Sequence, residues 1–242
     1  MHYDLSVVIP AYNEAERLGP GLRRAVDYLK RRGLSYEVLV VDDGSRDATV
    51  QVAEGFAGEG VRVLRHERNR GKGGAVQTGL LASLGERVLL SDADFSTPIE
   101  ELEKLEPRLR DAALVVGSRA LASSDIRQHQ PRHRELMGKT FNLIIRALGV
   151  RGLRDTQCGF KLVRGDVGRA LGAELTVEGF AYDVELVWLA RRHGHHVVEV
   201  GVVWSDSPDS RVDPLRSSLA MLRDVVRIRL RHRNLERSRG RR

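Results

Sequence analysis

The strongest constraint on this 242-residue chain is a repeat: short apolar runs, each followed by a longer amphipathic stretch. The runs fall at 5–9, 38–41, 61–64, 88–90 and 114–116. The stretches at 14–32, 47–56, 72–84 and 98–109 predict helices between and after them. Asn13 is placed to cap the first helix, and Pro98 stands at a tolerated first-turn position of the last. Short strands joined through helices pair in parallel. The pattern therefore predicts an α/β fold built on a mostly parallel, doubly wound sheet with helices on both faces. Such sheets bind ligands beyond the carboxyl ends of their strands.

The remainder is less regular. Residues 121–134 are polar and predict an irregular loop, 136–148 and 182–193 predict helices, and 160–163 and 197–203 predict strands. Near the end, Leu215, Leu219, Leu222, Val225, Val226 and Leu230 recur at three and four residues opposite a face of arginines. From Arg211 onward eleven arginines stand against three acids, a net of +8 in a chain whose total is +7. A near-neutral body with a basic tail points to an anionic surface, membrane or nucleic acid, and no nucleic-acid motif is visible. The expected organisation is one α/β domain at 1–212, a basic amphipathic membrane-associating helix at 213–235 and a disordered basic tail at 236–242. The single cysteine, Cys158, excludes an intrachain disulfide framework and a Cys-rich zinc site. No run approaches the roughly 20 apolar residues that cross a bilayer. With no signal-type start, the expected location is cytoplasmic, peripheral on the membrane's cytoplasmic face.

Polar clusters follow four of the predicted strands: Pro10-Ala11-Tyr12-Asn13-Glu14, Asp42-Asp43-Gly44-Ser45, Asn69-Arg70-Gly71-Lys72-Gly73-Gly74 and Asp92-Ala93-Asp94. One such cluster is an ordinary turn. Four at the same end of one sheet predict a site. Asp92 and Asp94, two apart, can converge on a divalent cation, and hard carboxylate oxygens suit Mg²⁺ or Mn²⁺. The glycine loop around Lys72 reads as a phosphate cradle or, more plainly, as a flexible helix start. It lacks the Ser or Thr of a P-loop, and no glycine triplet follows the first strand, which removes the best signals for a kinase or a dehydrogenase.

The segments VVIPAYNEAERL, VVDDGSRDAT, NRGKGGAVQTGL and SDAD resemble the A-type (GT-A) nucleotide-diphospho-sugar transferase domain of glycosyltransferase family 2. DTQCGFK at 155–161, FAYDVE at 180–185 and VWSDSPDSRV at 203–212 resemble its polyprenyl-phosphate sugar synthases. Within that branch, VDPLRSS at 212–218 is most similar to the dolichyl-phosphate β-glucosyltransferases, with the mannosyl synthases next. The resemblance implies an inverting transfer of glucose from UDP-glucose to dolichyl or another polyprenyl phosphate, with Mg²⁺ or Mn²⁺. GDP-mannose as donor and a soluble acceptor are the alternatives. It implies that Pro10, Tyr12, Glu14 and Asp43 hold base and ribose, and that Lys72, Asp92 and Ala93 face the nucleotide. Asp94 would bind the metal, with Ser96 where mannosyl enzymes carry a stronger glutamine ligand. Ser118, Arg119, Arg134 and Arg211 would meet the acceptor phosphate, and Gln157 with Asp183 and Glu185 would line the sugar pocket. Asp94, Arg119 and Lys72 are the implied catalytic set. Asp183 and Glu185, two apart on a helix, cannot both face that pocket.

Overall fold

The computed structural model describes residues 2–128, 152–205 and 214–232, with side chains from Met221 onward in the last stretch. The helix expected at 136–148, the end of the loop expected at 121–134, Arg134, Arg211, the boundary at 212 and the tail at 236–242 lie outside the described residues.

The expected sheet is present. Strands β1 (Tyr3–Ala11), β2 (Tyr36–Asp42), β3 (Val61–Arg65), β4 (Gly85–Leu90), β5 (Leu114–Ser118), β7 (Lys161–Arg164) and β8 (Val197–Gly201) lie in the order β3-β2-β1-β4-β7-β5-β8. All are parallel except β7, which runs antiparallel to both β4 and β5. Helices α1 (Ala15–Arg31), α2 (Thr49–Glu54), α3 (Lys72–Ala82), α4 (Leu102–Leu105), α5 (Gly165–Glu174), α6 (Tyr182–Arg192) and α7 (Pro214–Arg231) accompany it. The strands read as continuous apolar runs because both faces are covered. Along β1, Leu5, Val7 and Ile9 enter one core cluster with Leu18, Leu22 and Leu102, while Val8 enters the other with Val76, Leu80 and Leu186.

Several expectations are corrected. Asn13 does not cap α1: its backbone is left-handed (φ 55°), its Oδ1 accepts from the Arg46 amide at 2.9 Å, and its own amide donates to Ser45 Oγ at 2.9 Å. It ties two strand-end loops together, and the start of α1 is instead satisfied by Thr49 Oγ1, which accepts from the Glu14 amide at 2.7 Å. The single helix expected at 98–109 is broken into Ile99–Glu101, Leu102–Leu105 and Glu106–Arg110, and the last change comes at Pro107, which has no amide proton to continue the pattern. Residues 197–203 change sheets at Val202, and β9 (Val203–Ser205) pairs in parallel with β6 (Asp125–Gln128), so part of the expected irregular loop is strand. Helix α5 was not expected. Its glycines lower helix propensity, yet they are what packs it. A Cβ on Gly172 would stand 3.0 Å from Leu80 Cβ, and one on Gly168 2.9 Å from Val163 Cγ1.

Helix α7 departs most from expectation. Val225 and Ile228 are buried in the core with Leu186 and Leu189, and the helix packs on α6. Of the expected lipid face, Val225 therefore belongs to the domain. Val226 and Leu230, 44% and 64% exposed, are left outside.

Gly79 sits inside α3, where alanine normally favours helix by about 1 kcal/mol. Here an added Cβ would lie 2.2 Å from Val8 Cγ1. Gly79→Ala is expected to destabilise the fold by about 1–3 kcal/mol, measured as a lower urea midpoint at unchanged slope. A midpoint at or above the parent's would show that α3 and β1 are less tightly joined.

Candidate active site

Strands β1 to β4 end along one edge, and their following loops interlock there. Asp42 and Asp43 divide the work. Asp42 accepts from the Ser45 amide and closes its own turn. Asp43 reaches across to the next loop: it accepts from the Arg70 amide at 2.9 Å, the Gly71 amide at 2.7 Å and His66 Nδ1 at 2.7 Å. Both Asp43 oxygens thus order the glycine loop, whereas the resemblance assigned them to base and ribose. Tyr12 is exposed at the edge, Pro10 is half-buried beside it, and Glu14 holds Arg17 with two bonds of 2.7 and 2.6 Å. An open cleft of about 540 Å³ runs between residues 13–17 and 46–48.

The glycine loop is not a phosphate cradle. The amides of Gly73 and Gly74, which open α3, donate to the Glu178 carbonyl at 2.7 and 3.3 Å. A Cβ on Gly73 would lie 2.1 Å from the Val177 carbonyl oxygen, and one on Gly71 (φ 94°) would lie 2.4 Å from that of Glu178. These glycines let the segment before α6 sit directly on the helix end. What remains for an anion is the Lys72 side chain, whose Nζ lies 2.5 Å from Asp92 Oδ1. Burial opposes its charge, but Asp92, Asp183 and Asp94 together push its pKa above the lysine range. Burial likewise opposes ionisation of Asp92, and Lys72, then Lys161 and Arg119, outweigh it and lower its pKa. Asp92 rests against Gly159, where a Cβ would come within 2.3 Å of its oxygens.

The paired carboxylates have different partners. Asp92 is bound to Lys72, while Asp94 accepts from the Ser96 amide at 3.0 Å and lies 3.9 Å from Arg17. Between Asp94 and Ser96, Phe95 is held left-handed (φ 49°), with its ring packed against Gly21. The Ser96 carbonyl accepts from the Ser205 amide at 2.9 Å. Ala93 is buried, so only its backbone can face a ligand. Among the described residues no group of three or more His, Cys, Asp or Glu side chains is arranged to hold a metal.

Across the edge, Arg119 forms a two-point fork with Asp155, Nε to Oδ2 at 2.7 Å and Nη2 to Oδ1 at 3.0 Å, and its guanidinium lies 5.5 Å over the Trp204 ring. Asp155 is buried. That burial opposes its ionisation, but the Arg119 pairing outweighs it and lowers its pKa. Ser118 does not face an acceptor. It is wholly buried, and its hydroxyl accepts from the Ala120 amide at 3.1 Å. Gln157 donates from its side chain to Met221 Sδ of α7 at 3.1 Å. Of the two acids on α6, Glu185 is structural: it accepts from Thr176 Oγ1 at 2.6 Å, the Val177 amide at 2.8 Å and His232 Nε2 at 2.8 Å. Asp183 instead pairs with Lys161, a fully buried ammonium that also donates to the Cys158 carbonyl. Sequence reasoning missed Lys161. Its signal is a lysine inside the apolar run Phe160-Lys161-Leu162-Val163, where a cation needs a buried partner.

Fold and site together define an α/β domain that arrays lysine, arginine and carboxylate groups at the strand ends, a setting for an anionic ligand. The Glycosyl transferase family 2 profile matches residues 6–170. A dolichyl-phosphate beta-glucosyltransferase of Dictyostelium discoideum is 36% identical over 94% of this chain and 74% of its own. Its Drosophila melanogaster namesake is 40% identical over 95% and 75%. The structure of glucosyl-3-phosphoglycerate synthase from Mycobacterium tuberculosis, in complex with Mn²⁺, uridine-diphosphate and phosphoglyceric acid, superposes with a TM-score of 0.67 at 23% identity, over 94% of this chain and 78% of that one. The chain belongs to glycosyltransferase family 2.

Removing Lys161 leaves Asp183 buried beside Tyr182 without its main partner. Lys161→Met is expected to cost about 3–5 kcal/mol in chemical denaturation, and Lys161→Met/Asp183→Asn to regain most of it. Equal stability of the single and double variants would mean that the pair is not the unit described.

Proposed function

We propose that the chain transfers glucose from UDP-glucose to dolichyl or another polyprenyl phosphate, inverting the anomeric carbon to give a β-linked product. The observation that carries this reading is the opposition, across one strand edge, of a proposed nucleotide side (Lys72, Asp92, Asp94) and an oriented arginine (Arg119), in a chain whose relatives are named dolichyl-phosphate beta-glucosyltransferases. On this reading the chain works peripherally on the cytoplasmic face of a membrane, where lipid phosphate meets soluble nucleotide sugar.

The donor's diphosphate carries the leaving charge. Lys72 meets it by exchanging Asp92 for phosphate oxygens, which costs little because both side chains remain partly open to solvent. Lys72, Lys161 and Arg119 stand against Asp92, Asp94, Asp155 and Asp183, one more carboxylate than cations, so the unaided site disfavours a dianion. That donor set fits a divalent ion, Mg²⁺ or Mn²⁺, held by Asp94 with Ser96 as a minor ligand and completed by the nucleotide, the usual arrangement where one carboxylate serves substrate phosphates. When bound, the ion neutralises charge on the departing diphosphate. On the acceptor side a phosphate is already anionic, so no general base is required. Arg119 spends two donors on Asp155 and is steadied by Trp204, and its free edge at Nη1 orients the phosphate without fully quenching it.

The test is radiolabelled transfer to a polyprenyl phosphate from UDP-glucose and from GDP-mannose, with the product anomer assigned by NMR. Preference for GDP-mannose, or transfer only to a soluble phosphate such as phosphoglycerate, overturns the donor or acceptor assignment. Asp94→Asn is expected to lower kcat by about 10²–10³, with a far smaller loss for Ser96→Ala, and full activity in excess chelator would remove the metal. Arg119→Lys keeps the charge but loses the fork. It is expected to raise KM for the lipid phosphate while leaving UDP-glucose affinity by calorimetry unchanged. An equal loss of donor affinity would put Arg119 on the nucleotide side.

A further inference from the structure

Helix α7 has two working faces. The inner one is bonded into the domain: Val225 and Ile228 are buried, His232 bonds Glu185 at 2.8 Å, and Met221 accepts from Gln157 at 3.1 Å. This fixes which residues are left outside. At 100° per residue, Val226 and Leu230 lie on one outer line, with Arg223 and Arg227 on one flank and Arg229 on the other. Val226 is 44% and Leu230 64% exposed, and the Arg223 and Arg227 side chains are each 64% exposed. Their nearest acid, Asp224, is 3.7 Å from each. Beyond His232 the sequence continues with five more arginines and one glutamate.

We propose that this outer strip, Val226 and Leu230 between Arg223, Arg227 and Arg229, is a docking surface for the interface of an anionic lipid bilayer. Charge complementarity selects an anionic partner. The apolar line selects a bilayer over nucleic acid, because a partner offering only phosphates gains nothing from an exposed valine and leucine, whereas an interfacial helix buries them below the headgroups while its arginines meet lipid phosphate. The strip is narrower than the sequence periodicity implied, since Val225 serves the core. Its position matters. Gln157 and Glu185, which the inner face touches, lie next to the Asp155–Gly159 and Asp183 segments of the site. Asp224 lies 3.6 Å from where a Cβ on Gly179 would stand, in the segment that seats on Gly73. A bilayer on the outer face is thus one helix away from the groups assigned to the acceptor. The surface depends on the proposed lipid-phosphate acceptor only for its purpose, and the two are separable by experiment.

The test uses the full chain with an environment-sensitive fluorophore on Leu230→Cys and, in a second preparation, on Leu84→Cys, an exposed leucine just before β4 at the amino-terminal ends of the parallel strands. Cys158 is buried and stays unlabelled. Phosphatidylcholine vesicles with and without phosphatidylglycerol are added. The expected result is a blue shift at position 230 only, only with phosphatidylglycerol, and reversed by salt. Arg223→Gln/Arg227→Gln is expected to weaken vesicle affinity about thirty-fold at low salt, and Val226→Ser/Leu230→Ser to abolish the shift of a probe placed at Arg227→Cys. Vesicle binding with a silent probe at 230, equal shifts at 230 and 84, no vesicle binding, or a larger response to duplex DNA each overturn the proposal. Transfer to a short, water-soluble prenyl phosphate is expected to survive in the arginine and apolar variants. If the parent transfers to no prenyl phosphate while the probe at 230 still enters vesicles, the docking surface stands and the acceptor assignment falls.

Discussion

The buried pair Lys161–Asp183 is the constraint on which the rest of the site depends. Lys161 lies at the start of β7, the one antiparallel strand, which the topology inserts between β4 and β5. That insertion brings a cation from a late part of the chain between Asp92, at the end of β4, and Arg119, just after β5. An ammonium with no solvent exposure is tolerable only if paired and hydrogen-bonded, and Asp183 with the Cys158 carbonyl supplies both. Asp183 is then engaged from below and leaves Lys72 to Asp92. Without β7 in this place the strand edge would hold Lys72, Asp92 and Asp183 as a loose cluster; with it, each group has one preferred partner.

The glycine loop shows a second consequence of late segments closing over early ones. Amides at a helix start are the usual seat of a phosphate. Here two of them are occupied by Glu178, and the glycines exist for that close approach. On the proposed function, phosphate recognition therefore falls to a side chain, Lys72, whose charge can be redistributed between Asp92 and a ligand. A backbone cradle would be fixed; a lysine held by a carboxylate can respond to the nucleotide's arrival and departure.

Strand positions, their parallel pairing and the strand-edge location of the site were legible because each depends on local apolar runs and on chain-wide connection rules. The gathering of Lys72, Asp92 and Asp94 at that edge was legible for the same reason: they follow strands. What could not be read were partners that only the folded chain brings together. Nothing local distinguishes a glycine that cradles phosphate from one that admits the Glu178 carbonyl, or a glycine-rich stretch that is loop from α5, whose glycines admit Leu80. Glu185 and Asp183 carry the same charge two positions apart, and only the folded chain decides that Glu185 meets Thr176 and His232 while Asp183 meets Lys161. The periodicity of α7 was legible, but not how the domain and the solvent share it.

Charge balance links these parts. At rest the site is nearly neutralised from within: Lys72 by Asp92, Lys161 by Asp183, Arg119 by Asp155. Among the described residues Asp94 has no such partner closer than Arg17 at 3.9 Å, and Arg17 already holds Glu14. A ligand with two or more negative charges must therefore bring a counter-charge or displace a carboxylate. Lys72 and Asp92 form the pair in which displacement is easiest, since neither is sealed from solvent, while the Lys161 and Asp155 ends are. The exchange is thus confined to the nucleotide side, and Arg119 keeps its orientation through it because its own carboxylate is the buried one. On the proposed function, an acceptor phosphate would then meet the same arginine geometry whether or not donor is present, which is the condition for bringing two anions together in one cleft without either dislodging the other's contacts.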